Sequence, residues 1–259
     1  MENEIKDHAV KAYKTLKNPH LKFWHKVGEI GIEIAIIVFA VTLSIWVHDI
    51  SDHNHEQKEV RAFLMGLKKD LSSDLAELQD DRVSYVRQGL AFNYIATSSP
   101  NFKLSMDSLK KHLNYLYNIT TFVPNSARYE GFKSSGKLGN IEDDRLQNDI
   151  SELYQGIVPA ILVSTNSYIQ RKQYLFEYFY KNLKRNKDGS YKMLEALSTD
   201  EAFNICSTLT YAPGIVDRYD YAIKKSKEII SEINAEYDLG DSEKSESPDF
   251  RKLKPVVKK

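Results

Sequence analysis

Apolar residues fall along this chain in two regimes. From Val27 to Val47, VGEIGIEIAIIVFAVTLSIWV, they are nearly continuous, and from Val60 onward they recur every three or four positions, the period of a helix with one buried face. The continuous run predicts a membrane-spanning helix, since 21 residues at about 1.5 Å each reach roughly the thickness of a bilayer's hydrocarbon core. Its uncharged part, Ile34–Val47, is only 14 residues long, which also fits a buried core helix, so a span must take in Glu29 and Glu33. The six Ile, four Val, Leu43 and Phe39 of the run favour insertion by about 4–7 kcal/mol together, against roughly 3 kcal/mol for a central carboxylate and less near an edge. Insertion wins. Trp24 and Trp46, the only two tryptophans, fall at its ends, where an aromatic belt belongs.

The periodic regime predicts helices throughout. Val60, Leu64, Leu67, Leu71, Leu75 and Leu78, followed less cleanly by Tyr85, Val86 and Leu90, mark a long amphipathic helix with no Gly or Pro between Val47 and Gly66 to part it from the span. Ser98-Ser99-Pro100 is a turn, and Ser105 caps a helix carrying Met106, Leu109, Leu113, Leu116 and Tyr117. Thr120–Ser126 is a loop; Ala127–Ser134 is a short helix closed by Gly136 in a left-handed cap. The next helix starts near Ile141 with Glu142, Asp143 and Asp144 in its first turn, where carboxylates suit the dipole. Its face Leu146, Ile150, Leu153, Ile157, Ile161, Tyr168, Leu175 and Phe179 runs through Pro159, which kinks it. Asn186–Ser190 is a turn before helices over about Asp200–Tyr211 and Ile215–Tyr237. The fold class expected is all-α: one transmembrane helix continuing into a stalk helix and an extracytoplasmic helical bundle, with domains at 1–26, 27–47 and 48–239. The segment 240–259 lacks an apolar face and is expected to be disordered.

Charge fixes the orientation. The 15 residues before the span hold Lys14, Lys17, Lys22 and Lys26 and no acid, whereas in the 15 after it Lys58 and Arg61 meet Asp49, Asp52, Glu56 and Glu59. Positive-inside places the N-terminus in the cytoplasm and the larger part outside. Residues 1–26 carry Ile5, Ala9, Ala12, Tyr13 and Leu16 at helical spacing among lysines, which suits either an amphipathic helix on the anionic leaflet or a polar tail. The balance of 36 basic and 36 acidic residues gives no general case for nucleic acid. The single Cys206 rules out an intramolecular disulfide, so helix packing holds the fold in a periplasm.

The run KVGEIGIEIAIIVFAVTLSIWV, the charged leucine-spaced helix after it and VPNSARYEGFKSSGKLGNIEDDRLQNDISELYQ together resemble a bacterial family of uncharacterised single-pass envelope proteins. The matching positions are Gly28, Glu29 and Ile30, then Tyr129 and Glu130, Ser135 and Gly136, and Ile141 and Leu146, over roughly residues 26–240. The chain departs from the family in carrying Glu33 inside the span. The resemblance implies a bacterial inner-membrane location with a periplasmic helical domain, and no activity.

Candidate chemistry is sparse. Glu29 and Glu33 are one turn apart, and Ala40 and Ser44 fall on the same side of the helix, opposite Gly28, Gly31, Ala35 and Thr42. This acidic, small-residue stripe is a candidate contact with a partner membrane helix or a proton-coupled site; the plainer reading has Glu29 reaching the interface beside Lys26 and Glu33 protonated or weakly paired. Beyond the span His48, Asp49, Asp52, His53, His55 and Glu56 cluster. His48 with Asp52, or Asp49 with His53, sit one turn apart, so His48, Asp52, His53 and His55 are candidate metal ligands. No His-Glu-x-x-His signature accompanies them, and headgroups and water suit the same residues. The Tyr129–Gly136 stretch lacks the Gly-Lys-Ser/Thr ending of a phosphate loop. Cys206 reads as core, and the run Tyr168, Tyr174, Phe176, Tyr178, Phe179 and Tyr180 reads as core packing in preference to a stacking site. The function expected is a membrane-anchored interaction or scaffold subunit of an envelope complex, without catalysis or cofactor. Its partners would be the bilayer and a protein partner or second copy. The alternatives are a single-pass sensor binding a small ligand in its bundle, and a metal-dependent envelope enzyme.

Overall fold

The computed structural model describes residues 10, 13–14, 23–97, 106–210 and 213–237. The turn expected at Ser98-Ser99-Pro100, the Ser105 cap, most of segment 1–26 and the tail 240–259 lie outside the described residues. Nine α-helices are formed among those described: α1 Phe23–Thr97, α2 Met106–Lys110, α3 Leu113–Tyr117, α4 Ala127–Ser134, α5 Asp144–Glu152, α6 Val158–Asn182, α7 Met193–Leu197, α8 Asp200–Leu209 and α9 Pro213–Glu236. The described residues hold no strand, and a lone antiparallel bridge joins Arg185 and Tyr191. The protein is all-α. It divides into two compact units, Met1–Val60 and Arg61–Lys259.

The first unit contains the apolar part of α1, which is long and apolar enough to cross a membrane. Only 6% of its most apolar window is buried, whereas the core helix of a soluble protein buries most of such a window. Ile32, Val38, Phe39 and Trp46 are all more than half exposed. A continuous apolar sleeve of this kind suits lipid or a partner surface better than water.

In the second unit α1 turns one seam inward. Phe63, Leu64, Leu67, Leu71, Leu78, Tyr85, Ala91, Phe92 and Ile95 are buried; each buried leucine contributes roughly 1.5–3 kcal/mol. Leu90, expected on this seam, is 60% exposed. The seam advances by sevens through Leu78, Tyr85 and Phe92, and Leu90 stands about 140° away from Tyr85 at 100° per residue. The rings of Tyr85 and Tyr168 are 5.5 Å apart and those of Tyr85 and Tyr219 5.6 Å, so α1, α6 and α9 meet around one tyrosine. α6 packs on α8 and α9, and α9 also on α5.

Local signals place most boundaries. Gly136 takes φ 74° after α4, the left-handed conformation that glycine adopts at least cost. Asp143 stands outside the first turn of α5 and caps it, accepting from the amides of Arg145 and Leu146. Helix α5 passes into α6 through a π-helical turn, Leu153–Ile157, just before Pro159, which absorbs the missing proline N–H. The single helix expected through Leu109 and Leu116 is instead two, α2 and α3, parted at Lys111-His112 where the His112 ring stacks 5.0 Å from Tyr94.

A second stripe, polar this time, fixes the loop that follows α3. Asp70, Asp74, Glu77 and Asp81 follow one another at four, three and four residues along α1, one face of a helix. Asp70 holds Arg128 at 2.8 Å, Glu77 accepts from the Val123 amide at 2.9 Å, and Asp74 accepts from the Asn125 amide and from its Nδ2 at 2.6 Å. Tyr219 donates to Asp81 at 3.3 Å. Burial pushes both Asp74 and Asp81 up to about 6, with Glu77 adding to the effect in each case.

Candidate aromatic cleft

The aromatic run of α6 is divided by helical phase. Tyr168, Leu175, Tyr178 and Phe179 point into the core, whereas Tyr174 and Tyr180 are 64% and 88% exposed. The reading of the whole run as core therefore covers half of it. Phe176 and Tyr180, with an edge of Phe179, Tyr117 of α3 and Leu183 and Tyr191 of the loop after α6, line an open cleft of about 520 Å³, while Tyr174 faces a separate depression. Tyr117 and Phe176 lie parallel, 2° apart in plane at 6.2 Å, and Phe179 is 5.8 Å from Tyr117. Burial and the neighbouring Tyr191 hold the Tyr117 hydroxyl above its ordinary range.

Each wall has its own support. Tyr191 is placed by a tight hairpin in which the Asn186 amide donates to the Ser190 carbonyl at 2.7 Å and the Lys192 amide to that of Lys184 at 2.9 Å. Gly189 takes φ 87° at its tip. Tyr178 ties α6 to the far side of this hairpin, its hydroxyl donating to the Ala196 carbonyl at 2.7 Å.

Tyr117 is placed by Lys172, which is 1% exposed. Its Nζ donates to Gln88 Oε1 at 2.8 Å, to the Tyr115 carbonyl at 2.9 Å and to the Asn118 carbonyl. The Phe92 ring lies 5.5 Å from the same nitrogen. The ammonium thus clamps the carbonyl end of α3 on either side of Tyr117, where a positive charge suits the helix dipole, and it reaches its acceptors from one turn before Phe176. Burial pushes it down to about 7. Gln88 and Asn118 continue into a network with Ser84 and Thr120, and Tyr85 donates to the Thr120 carbonyl at 2.6 Å. Sequence reasoning missed Lys172, although its spacing of four, three and four residues with Tyr168, Leu175 and Phe179 put it on the buried face.

The other candidates are placed as follows. Glu33 is 5% exposed between Ile32 and Ile34, which are 63% and 55% exposed. Ala40 and Ser44 are half-buried on the same side; the side chain of Glu29 lies outside those described. His48 and Asp52 stand 3.4 Å apart and His55 and Glu59 3.7 Å, with His48, Asp52 and His55 well exposed. Among the described residues no three His, Cys, Asp or Glu side chains converge on one point. Cys206 is buried and its thiol pushed up to about 12, so it stays protonated and unreactive. The chain matches no protein-family model, no curated protein and no solved structure.

Proposed function

We propose that this protein is a single-pass, membrane-anchored interaction subunit whose helical domain engages its partner through the aromatic cleft. The observation that carries the reading is the exposure of Tyr180 and Tyr191, 88% and 57%, on a supported frame. Rigid, half-polar rings left in water over a concave apolar floor are the anchors from which contact surfaces are built. The side chains whose ionisation burial perturbs are used within the fold: Lys172 holds Gln88 and the Tyr115 carbonyl, and Asp74 holds Asn125 of the loop after α3, which supports action by contact and not by catalysis.

The lysine excess before the span supports a cytoplasmic N-terminus and a domain outside a bacterial inner membrane. The stripe Glu29, Glu33, Ala40 and Ser44 then faces a partner helix within the bilayer, and Glu33, sheltered among exposed neighbours, is its centre.

The test is extraction of the tagged full chain in mild detergent, followed by mass spectrometry of what co-purifies. A stoichiometric partner that is lost from the Tyr180→Ser/Tyr191→Ser variant supports the reading. A lone monomer overturns it, and directs attention to a small ring-bearing ligand in the same 520 Å³, as in a sensor.

A further inference from the structure

The segment that carries Leu183 and Tyr191 to the cleft is charged, and unevenly. Between residues 181 and 192, KNLKRNKDGSYK, five cations stand against Asp188 alone, in a chain whose total charge is zero. Glu195 is shared by two of the five, lying 3.7 Å from Lys184 and 3.0 Å from Lys192. Asp188 is turned to its own loop, accepting from the Ser190 amide at 2.9 Å and hydroxyl at 2.7 Å. Lys181 faces a separate depression beside Glu177 and Glu201; Arg185 and Lys187 remain exposed, and Arg185 is bridged to Tyr191 of the cleft wall. These two cations stand on the segment that carries Leu183 and Tyr191 into the cleft wall.

We infer that the cleft takes an extended acidic peptide segment of a partner protein, with a proline or aromatic side chain seated among Tyr117, Phe176, Tyr180 and Tyr191 and carboxylates meeting Arg185 and Lys187. This rests on the reading of the cleft as a contact surface and names what fills it. Aromatic-lined grooves accept pre-extended, proline-bearing chains, and unpaired arginine and lysine recognise acidic motifs. The lining favours a peptide over a sugar: it offers three phenol hydroxyls and no carboxylate or amide to meet the hydroxyls of a carbohydrate.

The test is a random decapeptide phage library panned on the full chain in mild detergent, in parallel with two variants. Tyr180→Ser/Tyr191→Ser removes the rings, and Arg185→Glu/Lys187→Glu reverses the charge of the two cations. The expected result is enrichment of acidic sequences bearing Pro, Phe, Tyr or Trp, with at least ten-fold weaker binding to either variant and weakening in added salt. Enriched peptides that need Tyr180 and Tyr191 but are neutral or basic, and indifferent to the Arg185→Glu/Lys187→Glu change, would overturn the acidic occupant while leaving the cleft as a contact surface. Enrichment that is the same on all three proteins would overturn both. Ring-dependent capture of an anionic oligosaccharide from a glycan array, with no ring-dependent peptide, would replace the peptide by a carbohydrate.

Discussion

Replacing Lys172 by Met removes a buried charge and keeps most of the side chain's volume. The wild-type ammonium titrates at about 7 in the folded protein and near 10.4 when unfolded. Between those values the unfolded chain binds more protons, so stability rises with pH: the contribution is complete above the unfolded value and is lost as pH falls through about 7. Integrating the proton difference from pH 7 to 8.5 gives a gain of about 1.6 kcal/mol. The Cys206 thiol, pushed up to about 12, works in the opposite sense, by roughly 0.4 kcal/mol at pH 8.5. Lys172→Met leaves that contribution in place, so the difference between the two proteins isolates the lysine. The variant should lose the upward slope. It should also lose about 1–3 kcal/mol at pH 8.5, where the neutral amine still donates but methionine leaves Gln88 Oε1 and two carbonyls without a donor. The assay is urea unfolding of the full chain in detergent, followed by circular dichroism across this pH range. A wild-type profile that is flat or falls, or a variant that keeps the slope, refutes the argument.

Asp74 gives a slope in the acid range. Its folded value near 6 exceeds the ordinary 3.8, so its contribution is complete below the ordinary value and lost as pH rises through 6. Stability should therefore increase on acidification from pH 6.5 to 5, less so in Asp74→Asn, while Asp74→Ala costs about 1–3 kcal/mol because the Asn125 amide loses its acceptor; equal slopes in wild type and Asp74→Asn would count against this. Two glycines with open space around them should respond oppositely to alanine. Gly136→Ala, at φ 74°, loses about 1–2 kcal/mol, whereas Gly131→Ala, inside α4 with nothing within 4 Å, gains about 0.5–1 kcal/mol; thermal unfolding decides the signs. Wild-type chain should stay with membranes through alkaline carbonate washing. The Ile36→Arg/Phe39→Arg variant adds roughly 5–7 kcal/mol of insertion cost, more than the margin worked from the sequence, and should be released; retention of that variant would remove the case for a span.

The periodic parts of the fold were legible because a buried helical face repeats every three to four residues and needs no knowledge of what it packs against. Ala127–Ser134, the cap at Gly136, the run from Leu146 through Pro159 to Phe179 and the turn at Asn186–Ser190 all follow from apolar spacing, glycine and proline. The same rule misled where apolar content was high on every side. Tyr174, Phe176 and Tyr180 have the composition of core residues, and only the phase of α6 relative to α8 and α9 decides which rings face water. Leu90 failed for the same reason on α1. Lys172 and Asp74 went unnoticed from the opposite prejudice, since a charge on an apolar face reads as an interruption until its acceptors or donors come into view.

The sequence by itself determined that the protein is helical, that one helix is apolar enough to cross a membrane, and where most turns fall, because these depend on near neighbours along the chain. The tertiary structure alone decided that Tyr117 joins Phe176, Tyr180 and Tyr191 in one cleft, and that Lys172 holds its wall. Those residues are separated by as many as 74 positions, and their meeting depends on the register and rotation of packed helices, which a residue's own neighbours do not encode.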